Sequence, residues 1–241
     1  ALHQLQESKE LSDQHLLEYL KTSPYESVRL EAFLLLQQRH SDDFVSAIEN
    51  AADDNFELLQ RFAVNALIKN GDPRLANTLA GKLCDVNTSA RVAFNALQGA
   101  QFFSRQNLLP AVEDRLRQVA PYVVQPETYA KGVLKNAENY AGRWDEEIEK
   151  LCKGEMSHKR ALTQINFMRI YCPPYLLPQV AGYAATLKDD ELLLPLLEAL
   201  GWHRQAYTSA QVVPVVEKLM KDTSHSEQVR QEALKTYKRL K

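Results

Sequence analysis

The sequence predicts an all-α fold in which about seven pairs of short helices stack as a solenoid. Glycine is scarce, at 8 of 241 residues, and the alternation of β-branched residues that marks strands is hard to find. Leu, Ala, Glu, Gln, Lys and Arg dominate instead, and these are good helix formers. Apolar residues recur three and four positions apart, as at Phe44, Ala47, Ile48 and Ala51, so each such set covers one face of a helix.

Helix-breaking residues separate these amphipathic stretches at regular intervals. Examples are Ser23-Pro24, Gly71-Asp72-Pro73 and Asp222-Thr223-Ser224. Asp and Ser at such positions can cap a following helix, because their side chains accept hydrogen bonds from its free backbone N–H groups. Proline just after them suits the first helical turn. We therefore expect about fourteen helices of roughly 10 to 15 residues, joined by short turns.

A repeated motif sets the register of these helices. The segments at residues 28–32 and 229–233 share Val-Arg, two further residues and then Ala. With that alanine as the register mark, equivalent positions fall at residues 32, 63, 93, 130, 163, 196 and 233. The separations between these marks are 31, 30, 37, 33, 33 and 37 residues. A period near 33 corresponds to two short helices and two turns.

On these residues the chain resembles the HEAT-repeat superfamily of armadillo-type α-solenoids, in particular the short repeats of phycobilisome-lyase-like proteins. The resemblance rests on Val28 to Ala32, Ala63 to Leu67, Ala93 to Leu97 and Val229 to Ala233. It implies a right-handed α-α superhelix that covers residues 1–241 as a single repeat domain. The approximate repeats are residues 8–40, 41–71, 72–104, 105–142, 143–172, 173–205 and 206–241. The fourth to sixth repeats depart furthest from the family pattern.

The resemblance also implies that the helix with the register mark lies on the concave side of the superhelix. The mark and the residues three and four after it face the core, so residues two before, two after and five after it face the concavity. Trp202, beside His203 and Arg204, adds a second cluster of aromatic and polar residues. The predicted partner-binding residues are Arg61, Asn65, Arg91, Asn95, Gln98, Lys135, Arg169 and Trp202.

Arginine and asparagine recur at matched positions of the second and third predicted repeats, as Arg61 with Asn65 and Arg91 with Asn95. Two stacked pairs of this kind can grip a carboxylate, a phosphate or an acidic peptide, because guanidinium groups pair well with oxyanions. The alternative is that these polar residues only solvate an exposed helix face. For Trp202 the alternative is a partly buried packing role at a helix end.

Composition excludes several classes of protein. The net charge of −2 gives no global attraction for nucleic acid, and the C-terminal group of basic residues is interpreted as a solvated capping helix. The apolar runs fall far short of the roughly 20 residues needed to cross a bilayer, so we expect no membrane insertion. Three widely spaced cysteines argue against a disulfide framework or a structural zinc site.

The sequence contains no recognisable signature of a catalytic site. Six histidines, at positions 3, 15, 40, 158, 203 and 225, lack the His-Glu pairing with which HEAT-like hydroxylases bind two irons. No phosphate-binding loop or nucleophile elbow is present, and Cys152 and Cys172 have no matched base in the sequence. We therefore predict no catalytic residue, no metal ligand, no cofactor and no enzyme activity.

These observations favour a non-enzymatic binding or scaffold module whose concave surface binds a protein or peptide. One alternative is an accessory or substrate-orienting domain of a larger enzyme, since the chain begins at Ala1 rather than methionine. A HEAT-like lyase or DNA glycosylase is a further alternative, suggested by Trp144 with Asp145 and by Trp202. We expect a soluble chain, cytoplasmic or, if Ala1 follows a removed signal peptide, periplasmic or secreted.

The register assignment predicts a cost for enlarging the mark of the second repeat. Replacing Ala63 by leucine should force neighbouring helices apart and lower the free energy of unfolding by roughly 1–3 kcal/mol through overpacking. Chemical or thermal denaturation of Ala63→Leu beside the native chain measures this difference. An unchanged unfolding midpoint would show that residue 63 does not face the core.

Overall fold

The computed structural model of the chain describes residues 11–39 and 41–241. The start of the first predicted repeat, at residues 8–10, lies outside this part of the chain. Two of the six histidines, His3 and His40, also lie outside it.

Within the described residues the chain is all-helical and has no β-strand, which confirms the predicted fold class. The fourteen α-helices of this part are α1 (Asp13–Thr22), α2 (Glu26–Gln38), α3 (Phe44–Ala52), α4 (Glu57–Asn70), α5 (Ala76–Cys84), α6 (Ala90–Gly99), α7 (Arg105–Val119), α8 (Pro126–Tyr140), α9 (Asp145–Cys152), α10 (His158–Tyr171), α11 (Leu177–Thr186), α12 (Asp190–Gly201), α13 (Ser209–Lys221) and α14 (Glu227–Leu240). Short 3₁₀ turns lie at Pro73–Leu75, Ala100–Phe102, Ala120–Tyr122 and Pro174–Leu176. Over these ranges no helix is both long and apolar enough to span a lipid bilayer.

Polar residues at the predicted breakers cap several of these helices. The hydroxyl of Ser89 accepts a hydrogen bond from the backbone N–H of Val92 at the start of α6, and Ser226 does the same for Val229 in α14. The carboxylate of Asp189 accepts from the N–H of Glu191 at the start of α12. These caps satisfy backbone donors that have no partner within the helix, and so they fix where each helix begins.

The described chain divides into two compact units. Unit 1 contains α1 to α6 and most of α7 and α8, and unit 2 contains α9 to α14 with the short segments 69–72 and 101–105. In unit 1, α3 packs against α1 and α5, α1 and α3 both pack against α2, and α5 packs against α6. In unit 2, α9, α11 and α13 form one layer and α10, α12 and α14 the other. Each unit therefore consists of stacked helix pairs, an arrangement compatible with a HEAT-like solenoid.

Burial within α4 and α6 corrects the predicted register of the third repeat. Helix α4 buries Leu59, Ala63 and Ala66, and α6 buries the residues 33 positions later in the sequence. Ala96, which is fully buried, is therefore the counterpart of Ala63, whereas the predicted mark Ala93 is only half-buried. The error arose because both candidate residues of α6 are alanines, so residue size alone did not distinguish them.

Of the other repeats, the register holds in three and fails in two, one of which is the fourth, where the predicted mark Ala130 is only half-buried. The predicted marks Ala32, Leu196 and Ala233 are fully buried. In α10 the predicted mark Thr163 is exposed, and Ile165 is fully buried in its place. The hydrophobic face of α10 thus lies about two residues further along the helix than the motif suggested.

A buried ion pair in unit 1 joins the beginning of α2 to the turn that precedes α4. Arg29 Nε lies 2.7 Å from Asp54 Oδ2, and each side chain is only 10% exposed. The same guanidinium donates to Asp54 Oδ1, to Asn55 Oδ1 and to the backbone oxygen of Ser23. This geometry ties two successive helix pairs together, and the hydrogen bonds offset the cost of removing both charges from water.

Removing one partner of this pair should destabilise unit 1 strongly. Arg29→Met keeps much of the aliphatic stem but leaves the Asp54 carboxylate buried without its cation, which costs about 3–5 kcal/mol. The matched control is Arg230→Met, which breaks an ion pair to the exposed Glu227 and should cost at most about 1 kcal/mol. If urea denaturation shows that both variants lose the same free energy of unfolding, the structural role of Arg29 is refuted.

Candidate functional site

The backbone around Trp202, at the end of α12 in unit 2, is fixed by contacts with both neighbouring helices of its layer. The ring of His203 donates from Nε2 to the backbone oxygen of Met168 in α10, at 2.6 Å. On the other side, Thr236 of α14 donates from its hydroxyl to the backbone oxygen of Leu197, at 2.8 Å. Both helices thus hold this end of α12 in place, and the side chain of Trp202 starts from a rigid base.

The indole ring of Trp202 is 57% exposed and lies beside two arginines from the neighbouring helices. The guanidinium carbon of Arg169 in α10 is 5.5 Å from the ring centroid, and that of Arg239 in α14 is 5.9 Å away. Both distances lie within the range of a cation–π interaction. The negative end of the α12 dipole, where Trp202 stands, further favours these positive charges.

Neither guanidinium is fully engaged by a carboxylate. Arg169 Nη2 lies 3.2 Å from Glu198 Oε1. Arg239 Nη1 is 3.9 Å from Glu232 Oε1, and Glu232 also has Lys235 at 3.1 Å. An arginine carries five N–H donors in a planar fork, so both side chains retain donors that can reach a carboxylate or phosphate of a ligand.

Large apolar side chains are exposed on α10 close in sequence to Arg169. Phe167 is 53% exposed and Ile170 is 70% exposed. Tyr171 contacts Phe167, with the ring centroids 6.4 Å apart. We name Phe167, Arg169, Ile170, Trp202 and Arg239 the Trp202 surface. It combines apolar area with two cations, whereas most exposed helix faces are polar.

Apart from Lys135, the predicted residues of unit 1 lie on α4 and α6. Arg61 and Asn65 are on α4, half-buried and exposed respectively, and Arg91 and Asn95 are on α6, exposed and half-buried. Because α4 and α6 correspond with an offset of 33 residues, the Arg-Asn pairs are not at matched positions. Arg61 corresponds to Phe94, and Asn65 to the predicted site residue Gln98, which is exposed.

The predicted residue Lys135 is exposed on α8, next to an open groove in unit 1. The groove has a volume of about 720 Å³, and uncharged residues line it, among them Val86, Tyr122, Val124 and Gly132. Lys135 itself does not line this groove. The structure thus places Lys135 on a different helix from the other predicted residues of unit 1, and this helix buries only Ala137 fully.

The cysteines considered as nucleophiles are held as thiols. Burial raises the pKa of Cys152 to about 11, and it raises the pKa of Cys172 further. The thiolate is the reactive form, so neither side chain is activated at neutral pH. Trp144, the other tryptophan singled out in the sequence, is partly buried and donates from Nε1 to Gln101 Oε1 at 3.4 Å.

Sequence reasoning found Arg169 and Trp202 but missed Arg239. The signal was present, because residues 169, 202 and 239 are separated by 33 and 37 residues, as are the last three predicted register marks. The arginine was instead grouped with the basic residues of the C-terminal helix, which were interpreted as a solvated cap. Extending the register by one more repeat would have predicted this contact to Trp202.

Comparison with known proteins adds little to this site. No protein-family model matches the chain, and no curated protein sequence matches it. Among solved structures, the chain is similar to human deoxyhypusine hydroxylase in complex with glycerol, at 14% sequence identity and a TM-score of 0.35. The match covers 94% of this chain and 96% of that one.

The prediction that the chain is not an enzyme is contradicted by this comparison, because the matched protein is an enzyme. At this level of similarity the comparison transfers no activity to the present chain.

The half-buried imidazole of His203 predicts a pH dependence of stability. Burial lowers the pKa of His203 below 6.5, and its hydrogen bond to Met168 opposes this only in part. As the pH falls below 6.5 the unfolded chain takes up a proton here before the folded chain does, so the folded state loses stability. The loss continues until the pH reaches the folded pKa, and it amounts to at most about 1.4 kcal/mol per pH unit.

Urea denaturation between pH 7.5 and 5 measures this effect. The variant His203→Gln can still donate to Met168 but does not titrate, so its free energy of unfolding should fall less steeply over this range. If the free energy of unfolding changes equally with pH in the native chain and in the variant, His203 does not contribute to the pH dependence of stability.

Proposed function

We propose that the chain binds a protein or peptide partner and that the Trp202 surface of unit 2 is a principal contact. The observation that carries the proposal is the exposed indole of Trp202, which stands on a fixed backbone between arginines of α10 and α14. Tryptophan and arginine are the residues that most often dominate binding energy in protein interfaces. An exposed tryptophan that is already ordered loses little conformational freedom on binding.

The chemistry of the surface favours a segment that carries both an acidic and an apolar side chain. A carboxylate can pair with the free donors of Arg239, where the existing ion pair to Glu232 is long at 3.9 Å. An apolar side chain can cover the exposed face of Trp202, and Ile170, next to Arg169 in the sequence, offers further exposed apolar area. The proposed partner is therefore a peptide segment in which an aspartate or glutamate stands near an aromatic or aliphatic residue.

A second contact is proposed on α4 and α6 of unit 1. The Nε of Arg61 is buried and has no hydrogen-bond partner among the described residues, which is an unusual state for a charged donor. Leu58 and Phe62 on the same helix and Phe94 on α6 are exposed, at 38%, 38% and 59%. Arg61, Asn65, Arg91 and Asn95 thus lie on helices that also expose apolar side chains, which supports a partner contact there.

Substitution of Trp202 tests the proposal. Peptides selected from a displayed random library on the native chain should be enriched in acidic residues next to apolar ones. Their affinity, measured by calorimetry, should fall about 30-fold in Trp202→Ala, which is the effect of losing a hot-spot residue of about 2 kcal/mol. It should also weaken in Arg239→Ala and at higher salt, because the carboxylate attraction is screened.

The matched control is Tyr122→Ala, which removes an aromatic ring that is 83% exposed in unit 1. This variant should bind the selected peptides as the native chain does. If no peptide is selected, or if Trp202→Ala binds the peptides unchanged, the assignment of binding to the Trp202 surface is wrong.

A further inference from the structure

Three ionisable side chains from different parts of unit 2 meet at the beginning of α10 and α12. His158 is the first residue of α10, while Asp189 caps α12 and Glu191 lies in its first turn. One nitrogen of the imidazole and one oxygen of each carboxylate all lie within 4.8 Å of one another. This cluster is not part of the Trp202 surface, whose tryptophan lies at the opposite end of α12.

The imidazole of His158 lies between the two carboxylates, and a different ring nitrogen faces each of them. His158 Nδ1 is 3.3 Å from Asp189 Oδ2, and Nε2 is 3.3 Å from Glu191 Oε2. Both are longer than the usual 2.7–3.2 Å of an N–H···O hydrogen bond. Nitrogen and oxygen ligands at roughly 2.0–2.1 Å from a tetrahedral Zn²⁺ lie about 3.3–3.5 Å apart. Because a metal ion binds only one ring nitrogen, a rotation of the exposed His158 or Glu191 side chain brings the three ligand atoms, which already lie within 4.8 Å of one another, onto one ion.

The local charge is unbalanced. Asp189 and Glu191 carry two negative charges, and His158 can supply at most one positive charge. No lysine or arginine in the described part of the chain forms an ion pair with either carboxylate. The intervening Asp190 does not share this cluster, since its carboxylate accepts from the ring of His225 at 3.0 Å and from the N–H of Ser226 at 3.1 Å.

The carboxylate of Asp189 is held in place by a hydrogen bond from the backbone. Asp189 Oδ1 accepts from the N–H of Glu191 at 3.0 Å, which leaves Oδ2 directed toward His158. A hydrogen bond to a ligating carboxylate of this kind orients it and strengthens metal binding.

We propose that His158, Asp189 and Glu191 bind a divalent transition-metal ion, with Zn²⁺ as the expected occupant. A neutral imidazole and two carboxylates form a donor set that suits Zn²⁺, and a +2 ion balances the two negative charges of the carboxylates. Three protein ligands leave a fourth position for water or for a group from a binding partner. The cluster is accessible, since the His158 side chain is 45% exposed.

Titration calorimetry of the full chain with ZnCl₂, after removal of metal by EDTA and dialysis, tests this site. We expect one Zn²⁺ per chain and at least about tenfold weaker binding in His158→Gln and in Glu191→Gln. Replacement by Co²⁺ should give a visible absorption band in the native chain that His158→Gln lacks. Both substituted residues are exposed, and circular dichroism checks that the variants fold.

Two variants serve as matched controls: His15→Gln removes an exposed histidine of unit 1, and Glu155→Gln removes an exposed carboxylate just before α10. Both should bind Zn²⁺ as the native chain does. The absence of saturable binding up to roughly 1 mM Zn²⁺, or equal affinity in His158→Gln, would overturn the site. The site would also be overturned if Cys152→Ser lost Zn²⁺ binding while His158→Gln retained it, because that result would place the ion on the thiol.

Discussion

Each helix of this chain, at 8 to 15 residues, depends on its neighbours to cover its apolar face. Isolated helices of this length are marginal in water, so their stability comes from packing. In unit 2 the helices alternate between two layers, and each helix packs against its partner and against a helix of the neighbouring pair. Fully buried small residues such as Ala63, Ala96 and Ala233 allow this close approach.

The same constraint determines which surfaces stay open. A helix that is covered on one face by its partner and at its sides by the neighbouring pairs leaves one stripe in contact with water. In unit 2 this leaves Phe167 and Ile170 of α10 exposed. Trp202 stands just after α12, where hydrogen bonds to α10 and α14 hold the backbone. Its ring therefore projects from the most constrained part of the unit, which suits a contact residue.

The sequence sufficed for the fold class, because the three- and four-residue spacing of apolar positions directly encodes short helices. Register was predicted correctly where the Val-Arg-x-x-Ala motif is intact, as at Ala32 and Ala233. It failed in α6, where Ala93 and Ala96 are equal in size and only packing decides between them. It also failed in α10, where Thr163 was chosen from the motif although Ile165 is buried.

The candidate sites were less accessible from the sequence. Arg169 was predicted from its place next to a concave-face position of the register, and Trp202 because it stands beside polar residues. Arg239 was missed, although the repeat period places it one repeat after Trp202. The cluster of His158, Asp189 and Glu191 could not be predicted, because no short motif links these residues. Only the packing of α10 beside α12 brings His158 close to the two carboxylates.

The most direct test of the account is an NMR titration that follows the indole N–H signals of the two tryptophans, Trp144 and Trp202, with Trp144→Phe used for assignment. The account predicts that a bound acidic peptide shifts the Trp202 signal and leaves the Trp144 signal unchanged, because Trp144 is partly buried and hydrogen-bonded to Gln101. If the chain is saturated with peptide and the Trp202 signal does not change, the proposed contact is contradicted.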